Sequence, residues 1–91
     1  MTSPLMQRLG VAIRSRRHNA GYSQERFAAR IGMHRAYYSA IERGEKNLQI
    51  DTLQRVCDGL EIRVWEILQD ADLIAADSAA PENEAASSGL S

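Results

Sequence analysis

Apolar residues recur along this chain at three- and four-residue spacings, in short blocks punctuated by glycine. Leu5, Leu9 and Ile13 fall on one stripe at spacing four, behind Ser3 and Pro4, a favourable cap and first-position pair. A first helix therefore runs to about residue 19, with Gly21 ending it. Ser23 caps a second, short helix with Phe27, Ala28 and Ile31 inward, and Gly32 stops it. A third helix spans roughly residues 34–43, with Tyr38 and Ile41 inward and Gly44 as its stop. After a polar loop, Ile50, Leu53, Cys57 and Leu60 mark the core-facing stripe of a fourth helix. Ile62 reads as a buried link, and a fifth helix starts at Val64 and runs on towards Ala76. No strand-like alternation survives anywhere, so the expectation is an all-α domain of five helices over residues 1–76. Residues 77–91 are mainly Ala, Ser, Glu and Pro with almost no large apolar residue, and are expected to form an acidic, disordered tail.

The link between the second and third helices is the informative feature. Gly32 and Met33 leave only a tight turn, which lets two short helices cross steeply in a helix-turn-helix arrangement. In that motif the second helix presents its N-terminal residues to the DNA major groove. Here those are His34, Arg35, Ala36 and Tyr37. Arg35 offers a two-donor fork to guanine O6 and N7, and Ala36 is small enough to lie against a thymine methyl. Gln24 opens the second helix, where side chain and backbone N–H groups can meet a phosphate. Arg43, Lys46 and Asn47 gather at the far end of the third helix, placed for contacts to the DNA backbone, and Tyr37 and Ser39 join that set.

Charge sharpens this reading. The net charge of −1 hides a sharp division. Residues 1–46 carry nine arginines and lysines against three glutamates, a balance of +6, whereas residues 47–91 carry two arginines against nine acids, a balance of −7. A basic half in a nearly neutral chain is the footprint of a face that meets phosphates, although a solvated charged surface gives the same arithmetic. Composition excludes other classes. Apolar residues make up 44% of the chain and charged residues 25%, ordinary for a soluble domain, and no apolar run reaches the length of a membrane span. The start of the chain does not read as a signal peptide, and the single cysteine, Cys57, permits no internal disulfide. A reducing cytoplasmic setting is expected. His18 and His34 have no acidic or cysteine cluster between them, so no metal site and no cofactor are expected. No nucleophile–base or paired-carboxylate arrangement points to catalysis.

At these residues the chain resembles a known family. Tyr22-Ser23-Gln24-Glu25-x-Phe27-Ala28, then Ile31-Gly32-Met33, then Tyr38-Ser39-x-Ile41-Glu42-Arg43-Gly44, match the Xre/Cro/C1-type helix-turn-helix regulators. The stretch from Arg35 to Leu48 is most similar to the controller proteins of restriction–modification systems, homodimeric regulators of their own operators. The resemblance implies that His34, Arg35 and Ala36 read bases, and that Gln24 touches the DNA backbone and braces the first base contact. Ala40 also matches a base-reading position but is short. The resemblance further implies an ion pair between Arg17 and Glu42 that ties the first helix to the third. His34 departs from the family, which usually caps this helix with Ser, Thr or Asp. Histidine is a poorer cap, and its ring is available to phosphate or base.

One recognition helix reads too few base pairs for useful specificity, and a two-fold dimer on a palindromic operator is the usual remedy. Trp65, Leu68, Leu73 and Ile74 are the expected partner-facing patch, with Trp65 where relatives often carry a small polar residue. The bland alternative is a tryptophan folded back on its own helix. A rival reading of the whole chain is an antitoxin or adaptor that uses the same fold to hold a protein partner, with the acidic tail as the segment that folds on it. Both remain open from the residues alone.

Overall fold

The computed structural model describes residues 3–83, with side chains described as far as Ile74. Five helices follow in order: α1 Pro4–Asn19, α2 Gln24–Arg30, α3 Arg35–Glu42, α4 Ile50–Leu60 and α5 Val64–Asn83. There is no strand among the described residues.

The helix starts follow from local chemistry. The Ser3 hydroxyl accepts from the Met6 amide, and the Ser23 hydroxyl accepts from the Arg26 amide at 3.1 Å, each satisfying an amide that has no helical partner. The end of α2 is set by a Schellman closure: the Met33 amide reaches back to Ala28 O at 2.9 Å and the Gly32 amide to Ala29 O at 3.1 Å. That closure needs residue 32 in the left-handed region, and Gly32 sits there at φ 65°.

The core is one cluster drawn from all five helices. Leu9 and Ile13 of α1, Phe27 and Ala28 of α2, Tyr38 and Ile41 of α3, Leu53, Val56 and Cys57 of α4, and Ile67 and Ala71 of α5 are buried together. Tyr22, Phe27 and Tyr38 stack as a tilted aromatic series, with centroids 5.6 and 5.3 Å apart. Burial pushes the Cys57 thiol up to about 11, so it behaves as a small core residue. α5 packs along α1, where Arg16 donates from Nε and Nη2 to the two carboxylate oxygens of Asp70 at 2.6 and 3.2 Å.

Three expectations need correction. Ile50 is 66% exposed, because it occupies the first position of α4 and its side chain extends beyond the packed body; Val56 fills the core stripe instead. Leu5, the second residue of α1, is likewise exposed. The boundary expected at residue 77 falls inside α5, where Ala75, Ala76, Ala79 and Ala80 favour helix. Residues 84–91, the rest of the expected tail, lie outside the described residues.

Candidate nucleic-acid interface

α3 carries different chemistry on its two faces. Its inner face ends in Glu42, a buried carboxylate that collects four donors. Arg17 donates from Nε and Nη2 at 2.7 and 3.0 Å, Gln24 donates from Nε2 at 2.9 Å, and the Tyr38 hydroxyl donates as well. Arg17 also donates from Nη1 to Tyr22 O at 2.8 Å, so one guanidinium joins α1, the α1–α2 link and α3. Burial pushes the Glu42 carboxyl up, but the bonds from Arg17 first, then Tyr38 and Gln24, outweigh it and hold the carboxyl below its usual range. The same bond raises the Arg17 guanidinium, while burial and Glu42 together push the Tyr38 phenol far up. Glu42 is therefore ionised and Tyr38 neutral at physiological pH.

α1 approaches this end of α3 without a side chain in between. A Cβ at Gly10 would stand 2.5 Å from Glu42 O and 2.7 Å from Ile41 O. α3 rests directly on the backbone of α1.

The outer face is open. His34 is the N-cap of α3 and makes no side-chain capping bond, which leaves the first amides of α3 facing outward without a side-chain acceptor. His34, Arg35 and Ala36 are exposed, and Arg35 makes no hydrogen bond or ion pair among the described residues. Tyr37 is 38% exposed, and Lys46 Nζ lies 5.4 Å from its ring centroid, a cation–π contact that holds the ammonium over α3. His34, Ala36, Tyr37, Ala40, Arg43 and Lys46 border an open concavity of about 600 Å³, floored by the methyl of buried Ala40.

The structure brings most of the expected contact residues onto this face but engages some of them elsewhere. Asn47 is exposed beside Lys46. Arg43 donates from Nε and Nη2 to both oxygens of Glu45 at 3.0 and 3.1 Å, and from Nη1 to Ser39 Oγ at 2.9 Å. Glu45, which also borders the concavity, is the residue that sequence reasoning missed. Its spacing two after an arginine was the available signal. Gln24, expected on a phosphate, gives its amide to Glu42 and so braces the inner face. In the patch expected on α5, Trp65 is 60% and Leu73 59% exposed and Leu68 is exposed too, whereas Ile74 packs against the core. No group of three or more potential metal ligands occurs among the described residues, and no helix there is long and apolar enough to cross a membrane.

A family model described as helix-turn-helix matches residues 13–64, more than half of the chain. The chain belongs to the helix-turn-helix family. Among solved members, the clp gene regulator ClgR from Corynebacterium glutamicum superposes with a TM-score of 0.81 at 33% identity, covering 89% of this chain and 86% of ClgR. The restriction–modification controller protein C.Esp1396I, solved as a tetramer with its natural 35 base-pair operator, superposes with a TM-score of 0.70 at 32% identity. That match covers 78% of this chain and 97% of the controller. Control protein C.MunI of a Mycoplasma species is 39% identical over 57 residues, 63% of this chain and 77% of its own length. The helix-turn-helix of this family corresponds here to α2, the Gly32-Met33 turn and α3. The homologues are transcriptional regulators rather than enzymes, and the controller group is the one that Arg35 to Leu48 resembles.

Proposed function

We propose that this protein is a sequence-specific transcriptional regulator that binds a two-fold operator as a homodimer, in the manner of a restriction–modification controller. The observation that carries the reading is the division of α3: an inner face locked by Glu42, and an outer start where Arg35 is unpaired and the helix amides are uncapped. Seated in the major groove, Arg35 takes guanine, Ala36 a thymine methyl, and His34 a base edge or adjacent phosphate. Lys46, Asn47, Tyr37, Ser39 and Arg43 lie along the groove wall within reach of phosphates, Arg43 once it is released from Glu45. The protein works in the cytoplasm, on the nucleoid when bound.

Dimerisation runs through α5. Trp65, Leu68 and Leu73 form an exposed apolar set, and a hollow of about 440 Å³ beside Trp65, between α4 and α5, can receive a partner side chain. DNase footprinting of the region upstream of the protein's own gene tests the whole reading. Two protected half-sites, with centres about one helical turn apart, are expected. Absence of protection refutes the regulator, and a lone half-site refutes the dimer.

A further inference from the structure

Arg55 belongs to α4, outside the helix-turn-helix, yet its side chain ends on the turn. Its Nε donates to Ile31 O at 2.8 Å and its Nη2 to Gly32 O at 2.6 Å. Ile31 is the C-cap of α2, and Gly32 lies two residues before the cap of α3. The exchange is mutual. Arg30 of α2 donates from Nε to Gly59 O at 2.9 Å and from Nη2 to Glu61 Oε2 at 3.1 Å at the end of α4. The helices meet there without slack, because a Cβ at Gly59 would stand 2.3 Å from Ile31 Cγ2 and 3.0 Å from Phe27 Cζ.

We propose that Arg55 is a positioning residue for base reading. It holds the Ile31 and Gly32 carbonyls and thereby fixes the angle at which α3 leaves the turn, which sets where Arg35 arrives in the groove. The proposal rests on α3 being the DNA-reading helix. The Schellman closure ties the Met33 amide to Ala28 O, and Arg55 takes the carbonyls on either side of Gly32, the left-handed residue about which the chain turns into α3. Two donors from one planar guanidinium take one carbonyl from each of the two peptides that Gly32 links, and so restrain their relative orientation, which a lysine with its single flexible ammonium does not. Arg55 is engaged on the carbonyls of the turn rather than directed at a phosphate, so its loss changes geometry before it changes charge contacts.

The test uses the full chain and two duplexes, one carrying the footprinted operator and one scrambled, titrated by fluorescence anisotropy across a salt series alongside thermal melting. Arg55→Leu is expected to weaken operator binding about tenfold and Arg55→Lys about threefold, with scrambled-duplex affinity and the salt slope unchanged. Arg55→Lys keeps the charge and so keeps the experiment decisive if Arg55→Leu folds poorly. Equal losses on both duplexes with a slope shallower by about one unit make Arg55 a phosphate contact and overturn the proposal. Lower melting temperatures with an unchanged operator-to-scrambled ratio make it merely structural and overturn it too. A wild-type protein that fails to distinguish the duplexes instead refutes base reading by α3, and the proposal with it.

Discussion

Glu42 and Glu45 stand three residues apart at the end of α3, each bridged by an arginine through both carboxylate oxygens, yet they do opposite things. Glu42 lies beneath the helix, shielded from water, with four donors on it. Removing either member of the Arg17–Glu42 pair leaves a buried charge unmatched, which is far costlier than the pair is stabilising. Glu45 and Arg43 are both exposed, and such a pair contributes little to folding. On the proposed reading its effect falls on binding, because it occupies a guanidinium that would otherwise meet phosphate and adds a negative charge beside the groove. Access to water then decides whether the same arginine–glutamate chemistry serves as scaffold or, on that reading, as a brake on DNA binding.

The comparison breaks most visibly at Glu42. Glu42→Gln should cost about 3–5 kcal/mol in urea or thermal denaturation by leaving the Arg17 charge uncompensated. A loss below about 1 kcal/mol would mean that the inner pair is no more structural than a surface one. On the outer face, Arg35→Ala should weaken operator binding about 10- to 100-fold while leaving the unfolding midpoint in place. Retention of specific binding would remove Arg35 from base reading.

Tyr38→Phe sharpens the inner side. Loss of one donor to a buried charge should cost about 1–2 kcal/mol at neutral pH. Because the Glu42 carboxyl is held below its unfolded value, its contribution is present above the ordinary carboxylate range and is lost as pH falls through the depressed value. With fewer donors the depressed value rises, so in Tyr38→Phe the acid loss should be smaller and complete at higher pH, a change readable in pH-dependent melts. An unshifted acid limb would separate Tyr38 from Glu42. The smallest effect belongs to Glu45→Gln. Affinity for any duplex should rise about two- to fivefold, and the salt slope should steepen by about one unit as Arg43 turns to phosphate. Stability should not move. An unchanged slope would show that Arg43 stays off the DNA.

Much of this was legible from residue order. Caps at Ser3 and Ser23, the glycine stops, Leu9 and Ile13 of α1 and the inward stripes of α2 and α3 are short-range patterns, so residue order alone marks these helices and the helix-turn-helix. The outward presentation of His34, Arg35 and Ala36 follows from the same periodicity once Tyr38 and Ile41 are known to face in. Ile50 failed because periodicity gives the direction of a side chain but not whether another element lies in front of it. Glu45 was passed over because a charge in a polar loop carries no period at all. Arg55 and Arg30 were invisible for a further reason: they bond backbone carbonyls 23 to 29 residues away in sequence, and a carbonyl leaves no mark on residue identity. Ile74 sat on the helical face expected of a partner surface, yet it packs against the protein's own core.

Gly10 has a consequence for how such a protein can change its target. Every residue that faces the groove can stay the same while a single methyl group on α1, set 2.5 Å from Glu42 O, forces the backbones of α1 and α3 apart. On the proposed reading, position 10 is thus a remote adjustment of aim. A variant altered only there would keep its set of DNA-facing side chains and deliver them to displaced base edges, so a new operator preference could arise with no substitution at the interface.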